Sequence, residues 1–88
     1  ELGIHNICAN SISPGFIDTR MALLPDGSGH EYDTTMFQDV YLKHSRIPLN
    51  RTGFASDIEG PSVFLCGSDS DYITGHNLVV DGGISTVL

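Results

Sequence analysis

One stretch decides the fold class of this chain: Asn10-Ser11-Ile12-Ser13-Pro14-Gly15-Phe16-Ile17-Asp18-Thr19. Apolar residues with small neighbours from Ile4 to Ser13 predict a strand that is covered on both faces, as in a parallel sheet. Pro14 and Gly15 end this strand, because proline has no N–H for the ladder and glycine permits a sharp change of direction. We therefore expect a buried strand that leads into a loop at the carboxyl edge of a sheet.

A second strand is predicted near the other end of the chain, at Asn77-Leu78-Val79-Val80, where Asp81-Gly82-Gly83 closes it. A strand, a helical connection and a second strand imply parallel strands with a right-handed crossover. Two strands alone do not make a stable sheet. The expected fold class is therefore α/β, with further strands supplied by the rest of the protein or by a partner.

A first helix is predicted from Thr35 to His44, after loop-like residues 22–34. Thr35 and Gln38 have the spacing of a capping box, in which each side chain satisfies an orphan backbone N–H. Its apolar residues are expected on one face. They are Met36, Phe37, Val40 and Tyr41.

A second helix is predicted from Ser56, where Ser56 and Glu59 form another capping box. Pro61 lies inside this helix and removes one hydrogen bond, so we expect a local kink. Gly67 is the expected C-terminal cap.

Two stretches resemble a known family. The first runs from Gly3 to Met21 and the second from Arg46 to Gly83. The matching motifs of the second stretch are Arg46-Ile47-Pro48-Leu49, Asp57-Ile58, Phe64-Leu65, Asp71-Tyr72-Ile73-Thr74-Gly75 and Leu78-Val79-Val80-Asp81-Gly82-Gly83. In order and spacing they resemble the C-terminal third of the short-chain dehydrogenase/reductases. The chain departs from the common family pattern at Cys8, at Ala55-Ser56 and at Gly60-Pro61.

The resemblance implies the C-terminal part of a Rossmann-like doubly wound parallel sheet. Residues 1–21 would form the penultimate strand and the Pro-Gly cofactor segment. Residues 22–54 would form the substrate-loop region, and residues 55–88 the last helix, the last strand and a tail.

The resemblance also implies a nicotinamide cofactor, NAD or NADP, at the carboxyl ends of the strands, where open α/β sheets bind ligands. The backbone of Ile17 would bind the nicotinamide carboxamide, and the Thr19 hydroxyl would contact the carboxamide or the pyrophosphate. Pro14 and Gly15 would let the chain pass close to the ring, and Met21 is a weaker candidate. The alternative for Pro14-Gly15 is a turn that merely ends the strand.

Residues of the substrate-loop region are candidates for substrate contact, with core packing as the alternative. These residues are Leu23, Leu24, Phe37 and Tyr41. The family's catalytic serine and Tyr-x-x-x-Lys motif would precede residue 1, and no tyrosine here is followed by lysine four residues later. We therefore name no catalytic residue and expect the isolated chain to be inactive.

Net charge and composition exclude several further classes of function. The 88 residues carry a formal net charge of −7, which argues against nucleic-acid binding and against an anionic membrane surface. No apolar stretch approaches the roughly 20 residues of a membrane span. Cys8 and Cys66 are expected as reduced core residues of a cytoplasmic protein. His30, Glu31 and Asp33 do not fit a calcium loop, so no metal is expected.

The leading hypothesis is an intact NAD(P)-dependent oxidoreductase that interconverts a secondary alcohol and a carbonyl on a small molecule such as a sugar or polyol. A second hypothesis is a non-catalytic interaction module from a degenerate family member. In either case the resemblance implies a homodimer or homotetramer through Ser56–Gly67 and Asn77–Val80, which would pair by two-fold symmetry. A third hypothesis is an autonomous acidic domain with an unrelated role.

Overall fold

A computed structural model describes residues 2–20, 23–24 and 29–87 of the chain. Its strands are β1 (Ser11–Pro14) and β2 (Asn77–Val80). Helix α1 begins as an α-helical turn (Thr35–Phe37) and continues as a π-helical segment (Gln38–Lys43), and helix α2 is Ser56–Cys66. Short 3-10 turns lie at Leu2–His5, Glu31–Asp33, Ser68–Ser70 and Ile84–Val87.

The two strands pair in parallel, with a register that runs from Ser11 opposite Asn77 to Pro14 opposite Val80. This pairing confirms the predicted parallel arrangement. Strand β1 is shorter than the predicted Ile4–Ser13, because residues 2–5 form a 3-10 turn. Asn6 then adopts a left-handed backbone conformation with φ of 60°, which an extended strand does not accommodate.

Neither strand is covered on both faces by the described residues. In β1 only Ile12 is half-buried, while Ser11, Ser13 and Pro14 are exposed. Cys8 and Cys66 are both free and both exposed, so the prediction that they are core residues is wrong for this part of the chain. Cys8 lies in the irregular segment before β1 and Cys66 is the last residue of α2, and the described residues cover neither side chain.

Two apolar side chains of the described residues are buried, one in α1 and one in the loop that follows it. Phe37 is 3% exposed and Ile47 is 1% exposed. The predicted single apolar face of α1 is wrong, because Phe37 and Tyr41 point inward while Met36 is 76% exposed and Val40 is also exposed. Residues four apart share a face, which puts Met36 with Val40 on the other side of the helix.

Both helix starts differ from the predicted capping boxes. In α1 the cap is Thr34, whose hydroxyl accepts a hydrogen bond from the Phe37 N–H at 3.2 Å. The Gln38 side chain instead donates to the Tyr32 carbonyl at 2.8 Å.

At α2 the N-cap position is Ala55, which makes no side-chain cap, and Asp57 accepts the Phe54 N–H at 2.8 Å instead. Helix α2 runs through Pro61 without interruption and ends at the predicted Gly67, whose N–H donates to the Phe64 carbonyl. A kink at Pro61 remains a prediction.

The chain is extended for its length. Its radius of gyration is 16.3 Å, against roughly 12 Å for a compact domain of this size. Its accessible surface is 6535 Å², against roughly 5000 Å² for a compact protein of the same mass. The excess includes large apolar side chains such as Val63, which is 72% exposed. None of the described helices is long and apolar enough to cross a membrane.

Candidate cofactor-binding site

The turn after β1 is fixed by a close approach of two backbones. The Gly15 N–H donates to the Val80 carbonyl at 3.0 Å, which continues the ladder past the last residue of β1. A Cβ on Gly15 would lie 2.7 Å from the Asp81 Cβ and 2.8 Å from the Asp81 Cα, so no side chain fits there. Packing alone therefore explains this glycine, as the strand-ending alternative proposed, and the same contact brings the chain tightly around the edge of the sheet.

Ile17 is held by a second backbone pairing, an isolated parallel bridge with Gly53. The Gly53 N–H donates to the Phe16 carbonyl and the Asp18 N–H donates to the Gly53 carbonyl, each at 2.8 Å. The Ile17 carbonyl accepts the Tyr32 hydroxyl at 2.9 Å. Within the described part of the chain no acceptor pairs with the Ile17 N–H.

The predicted cofactor residues that the structure describes come together in one cleft of about 700 Å³. They are Pro14, Gly15, Ile17 and Thr19. The volume lies in the usual range of ligand pockets. The opposite wall comes from α2 and the residue before it. These residues are Ala55, Ile58, Glu59, Ser62 and Val63. Met21, the fifth predicted cofactor residue, lies outside the described residues.

The predicted substrate-loop residues do not line this cleft. Leu23 pairs with His30 across an antiparallel bridge, and the Leu24 N–H donates to the Gly29 carbonyl at 2.8 Å. Phe37 is buried and Tyr41 is half-buried. Among the described residues of the substrate-loop region, Tyr32 does reach the cleft. The sequence analysis rejected it as a catalytic tyrosine, because no lysine follows it four residues later.

An aromatic cluster fastens the substrate-loop region to the cofactor segment. The Phe16 ring meets Tyr32, Phe37 and Tyr41 edge-on, with centroids 5.7, 5.0 and 4.8 Å away. Such edge-to-face pairs add to the stabilisation from burial alone. The cluster supports core packing over substrate contact for Phe37.

A polar link lies beside the aromatic cluster and is centred on His30. The His30 Nε2 atom is 2.8 Å from Asp18 Oδ1 and 3.2 Å from the Thr19 carbonyl oxygen. The other ring nitrogen, Nδ1, accepts the Tyr32 N–H at 3.3 Å. These contacts were not predicted, because loop residues carry no periodic signal that indicates which of them meet.

The environment of Tyr32 favours hydrogen-bond donation. Burial raises the pKa of Tyr32, and the charge of Glu31 adds to this effect. A phenol with a raised pKa stays protonated at neutral pH, so it can donate to a carbonyl but is a poor base. Among the residues that the structure describes, no three His, Cys, Asp or Glu side chains lie together as a metal site.

Comparison with known proteins identifies the relatives of this chain. The family model described as enoyl-(acyl carrier protein) reductase matches residues 1–85. The chain is 37% identical over 83 residues to 2-dehydro-3-deoxy-D-gluconate 5-dehydrogenase of Dickeya dadantii (strain 3937). This alignment covers 94% of this chain and 30% of that protein. The chain is also 41% identical over 86 residues to 3-oxoacyl-(acyl-carrier-protein) reductase of Chlamydia trachomatis serovar D. That alignment covers 97% of this chain and 30% of the reductase.

Solved structures agree with these matches. A blue fluorescent protein from a metagenomic library, crystallised in complex with NADPH, superposes with a TM-score of 0.74 at 34% identity. That superposition covers 96% of this chain and 30% of the other. The chain thus spans about 30% of the length of the relatives that it matches. The family match over residues 1–85 confirms the resemblance drawn from the two sequence stretches, and the chain belongs to the short-chain dehydrogenase/reductase family.

Proposed function

We propose that the intact protein is an NAD(P)-dependent oxidoreductase that transfers a hydride between a nicotinamide cofactor and a secondary alcohol or carbonyl. This chain would supply the C-terminal part of its Rossmann-like domain. One observation carries the proposal: Pro14, Gly15, Ile17 and Thr19 line a single cleft at the carboxyl end of β1. Ligands of open α/β sheets bind at this edge.

The residues present fit one end of a nicotinamide cofactor. The Ile17 N–H would donate to the carboxamide oxygen. A carbonyl oxygen has two lone pairs, so the Ile17 carbonyl, which already accepts the Tyr32 hydroxyl, retains capacity for the carboxamide NH₂. The Thr19 side chain lines the same cleft and would contact the carboxamide or the pyrophosphate. The bound cofactor supplies the hydride, while the catalytic serine, tyrosine and lysine would come from another part of the protein.

The apolar wall of the cleft would have a second role. Ile58 and Val63 of α2 face the cofactor segment across the cleft. In the intact protein we propose that this wall packs partly against the remaining strands of the sheet. The extended shape of the chain and its excess surface support this arrangement.

The proposed substrate is a small hydroxylated molecule such as a sugar acid or polyol. The relative from Dickeya dadantii, by its name, acts on a sugar acid, and this supports the choice. The relative from Chlamydia trachomatis acts on an acyl-carrier-protein substrate, so such thioesters serve as the comparison class in any assay. We place the protein in the cytoplasm, which the two free cysteines support.

Cofactor binding by the intact protein tests the proposal directly. We expect NADPH or NADH to bind with a measurable fluorescence change, and carbonyl sugar acids to be reduced faster than acyl thioesters. T19A should weaken cofactor binding about tenfold, the equivalent of about 1.4 kcal/mol. T35A changes an exposed threonine outside the cleft and serves as the matched control. An intact protein that bound neither cofactor would overturn the proposal.

The interaction-module hypothesis has a specific observation in its favour. Phe64 on α2 and Val79 on β2 are both exposed large apolar side chains that do not line the cleft. These elements are the ones through which the resemblance implies a homodimer or homotetramer. Light scattering on the intact protein tests this assembly, and a strictly monomeric protein would contradict it. The presence of oligomers without cofactor binding would favour the module over the enzyme.

A further inference from the structure

We propose that His30, in the substrate-loop region, is a positioning residue. It would hold Ile17–Thr19, the part of the cofactor segment that follows the Pro-Gly turn, in place. The inference rests on the proposed function, since it concerns how that cofactor segment is ordered. Three consecutive residues of the segment are held by two side chains of the loop. The Tyr32 hydroxyl binds the Ile17 carbonyl, and His30 Nε2 lies within hydrogen-bond distance of the Asp18 carboxylate and the Thr19 carbonyl.

The hydrogen bonds of His30 define its tautomer. Its Nδ1 atom accepts the Tyr32 N–H, so Nδ1 carries no proton in this arrangement. The proton of the neutral ring therefore lies on Nε2, which donates to Asp18 Oδ1 and is shared with the Thr19 carbonyl. A hydrogen bond to an ionised carboxylate is shorter and stronger than one between neutral groups, as the distance of 2.8 Å illustrates.

Burial supports a persistent link. The His30 side chain is 15% exposed, whereas the Asp18 side chain is 49% exposed. The His30 ring also packs on Tyr32, with centroids 4.6 Å apart. The imidazole is thus held by its neighbours in the loop and offers a fixed donor to the more exposed carboxylate.

His30 does not itself line the cleft, whereas Ile17, Thr19 and Tyr32 do. Any effect of His30 on cofactor affinity must therefore act through the segment that it holds. We expect the substrate loop and the cofactor segment to be ordered together, so that loosening the loop weakens cofactor binding.

The rival role of His30 is purely structural. Its Nδ1 atom caps the short 3-10 turn Glu31–Asp33 by accepting the Tyr32 N–H. Two substitutions separate the roles. In H30Q the longer amide places an N–H near the position of Nε2, whereas H30N places an acceptor near Nδ1 and is too short to reach Asp18.

The experiment measures the dissociation constant of NADPH and of NADH for the intact protein. We expect H30A and H30N to bind the preferred cofactor about fivefold to tenfold more weakly than the unsubstituted protein, and H30Q to lie within about twofold. H44A, which changes an exposed histidine outside the cleft, is the matched control. Thermal unfolding of each variant without cofactor reports separately on folding.

Two patterns of cofactor affinity would overturn the proposal. Equal cofactor affinity in all variants would show that the link has no effect on the site. Weak binding in H30Q with normal binding in H30N would show that His30 acts only as the cap of the 3-10 turn. If the unsubstituted protein bound no cofactor, the proposed function would fail, and hydrogen exchange of residues 16–19 in H30A would still test the link. Faster exchange is expected, and unchanged exchange would refute the link.

Discussion

Gly15 and Asp81 touch where the carboxyl ends of β1 and β2 meet: a Cβ on Gly15 would fall 2.7 Å from the Asp81 Cβ. Asp81 is itself fixed, because its carboxylate accepts the Gly83 N–H at 2.8 Å and the Ser85 N–H at 3.1 Å. Desolvation raises the pKa of Asp81, but these hydrogen bonds outweigh it and leave the pKa below its ordinary value. Asp81 is held by these hydrogen bonds and Gly15 by its hydrogen bond to the Val80 carbonyl, so neither residue can shift easily to make room for a side chain.

The first prediction concerns that contact. G15A should lower the free energy of unfolding of the intact protein by about 1–3 kcal/mol, since the added methyl group collides with backbone as well as side-chain atoms. G3A is the matched control. A Cβ on Gly3 meets nothing within 4 Å, and the change should alter the free energy of unfolding by less than about 0.5 kcal/mol. Urea unfolding measures both variants, and a neutral G15A would contradict the close approach.

A second prediction follows from the aromatic cluster. F37A should cost about 3–5 kcal/mol, because it empties a buried site against Phe16 and Tyr41. M36A, the adjacent residue in the same helix, should change stability by less than about 0.5 kcal/mol, because the Met36 side chain is exposed. Chemical denaturation of the two variants provides the comparison. Equal losses would show that Met36 is covered in the intact protein.

The Tyr32 hydroxyl provides a third prediction. Y32F keeps the ring in the cluster but removes the hydrogen bond to the Ile17 carbonyl, and should cost about 0.5–1.5 kcal/mol. Y41F removes a hydroxyl from another ring of the same cluster and should be nearly neutral. Thermal unfolding at fixed protein concentration distinguishes them. A Y32F protein as stable as Y41F would mean that water replaces the hydroxyl without loss.

The fourth prediction concerns pH and Asp57. The Phe54 N–H and Arg51 donate to the Asp57 carboxylate and hold its pKa below the ordinary value of 3.8. A carboxyl with a lowered folded pKa stabilises the protein above its unfolded pKa, and this stabilisation disappears as the pH falls through the folded pKa. The melting temperature of D57N should therefore lie below that of the unsubstituted protein above about pH 5 and approach it below pH 3.8.

The control for this prediction is D69N, which changes an exposed aspartate in the 3-10 turn Ser68–Ser70. Its difference in melting temperature should stay small across the same pH range. A D57N difference that persisted unchanged into acid would show that the lost stability does not depend on the charge.

Parts of the fold with a strong local signal were predictable. Strand β2 matches its prediction residue for residue, because the run Asn77–Val80 is compact and is closed by Asp81-Gly82-Gly83. The four described cofactor residues were chosen by family resemblance, and they meet in one cleft because they follow a single strand end. Local spacing was less reliable at helix starts, where Thr34 and Thr35 are equally good caps on sequence grounds.

The features that sequence reasoning missed depend on long-range contacts. Cys8 and Cys66 were expected in the core, but their burial depends on neighbours that the described residues do not provide. The contacts of His30 with Asp18 and of Tyr32 with Ile17 join two loops, and neither loop has a periodic pattern. The 3-10 turn Leu2–His5 and the left-handed conformation of Asn6 exclude the first residues of the predicted strand, although apolar residues on both sides favoured a longer one.

The parallel register of β1 with β2 has a consequence for how the chain reaches its fold. Ser11 pairs with Asn77, and the loops and both helices lie between them in the sequence. Closing so long a loop costs conformational entropy before the two strands form any contact. We expect this pairing to form late, after the local turns of α2, as in other folds of high contact order. A break in the backbone between the two strands would leave the native contacts in place. Strand pairing would then be a bimolecular step between two fragments. Refolding would then depend on protein concentration, whereas the folded structure would not.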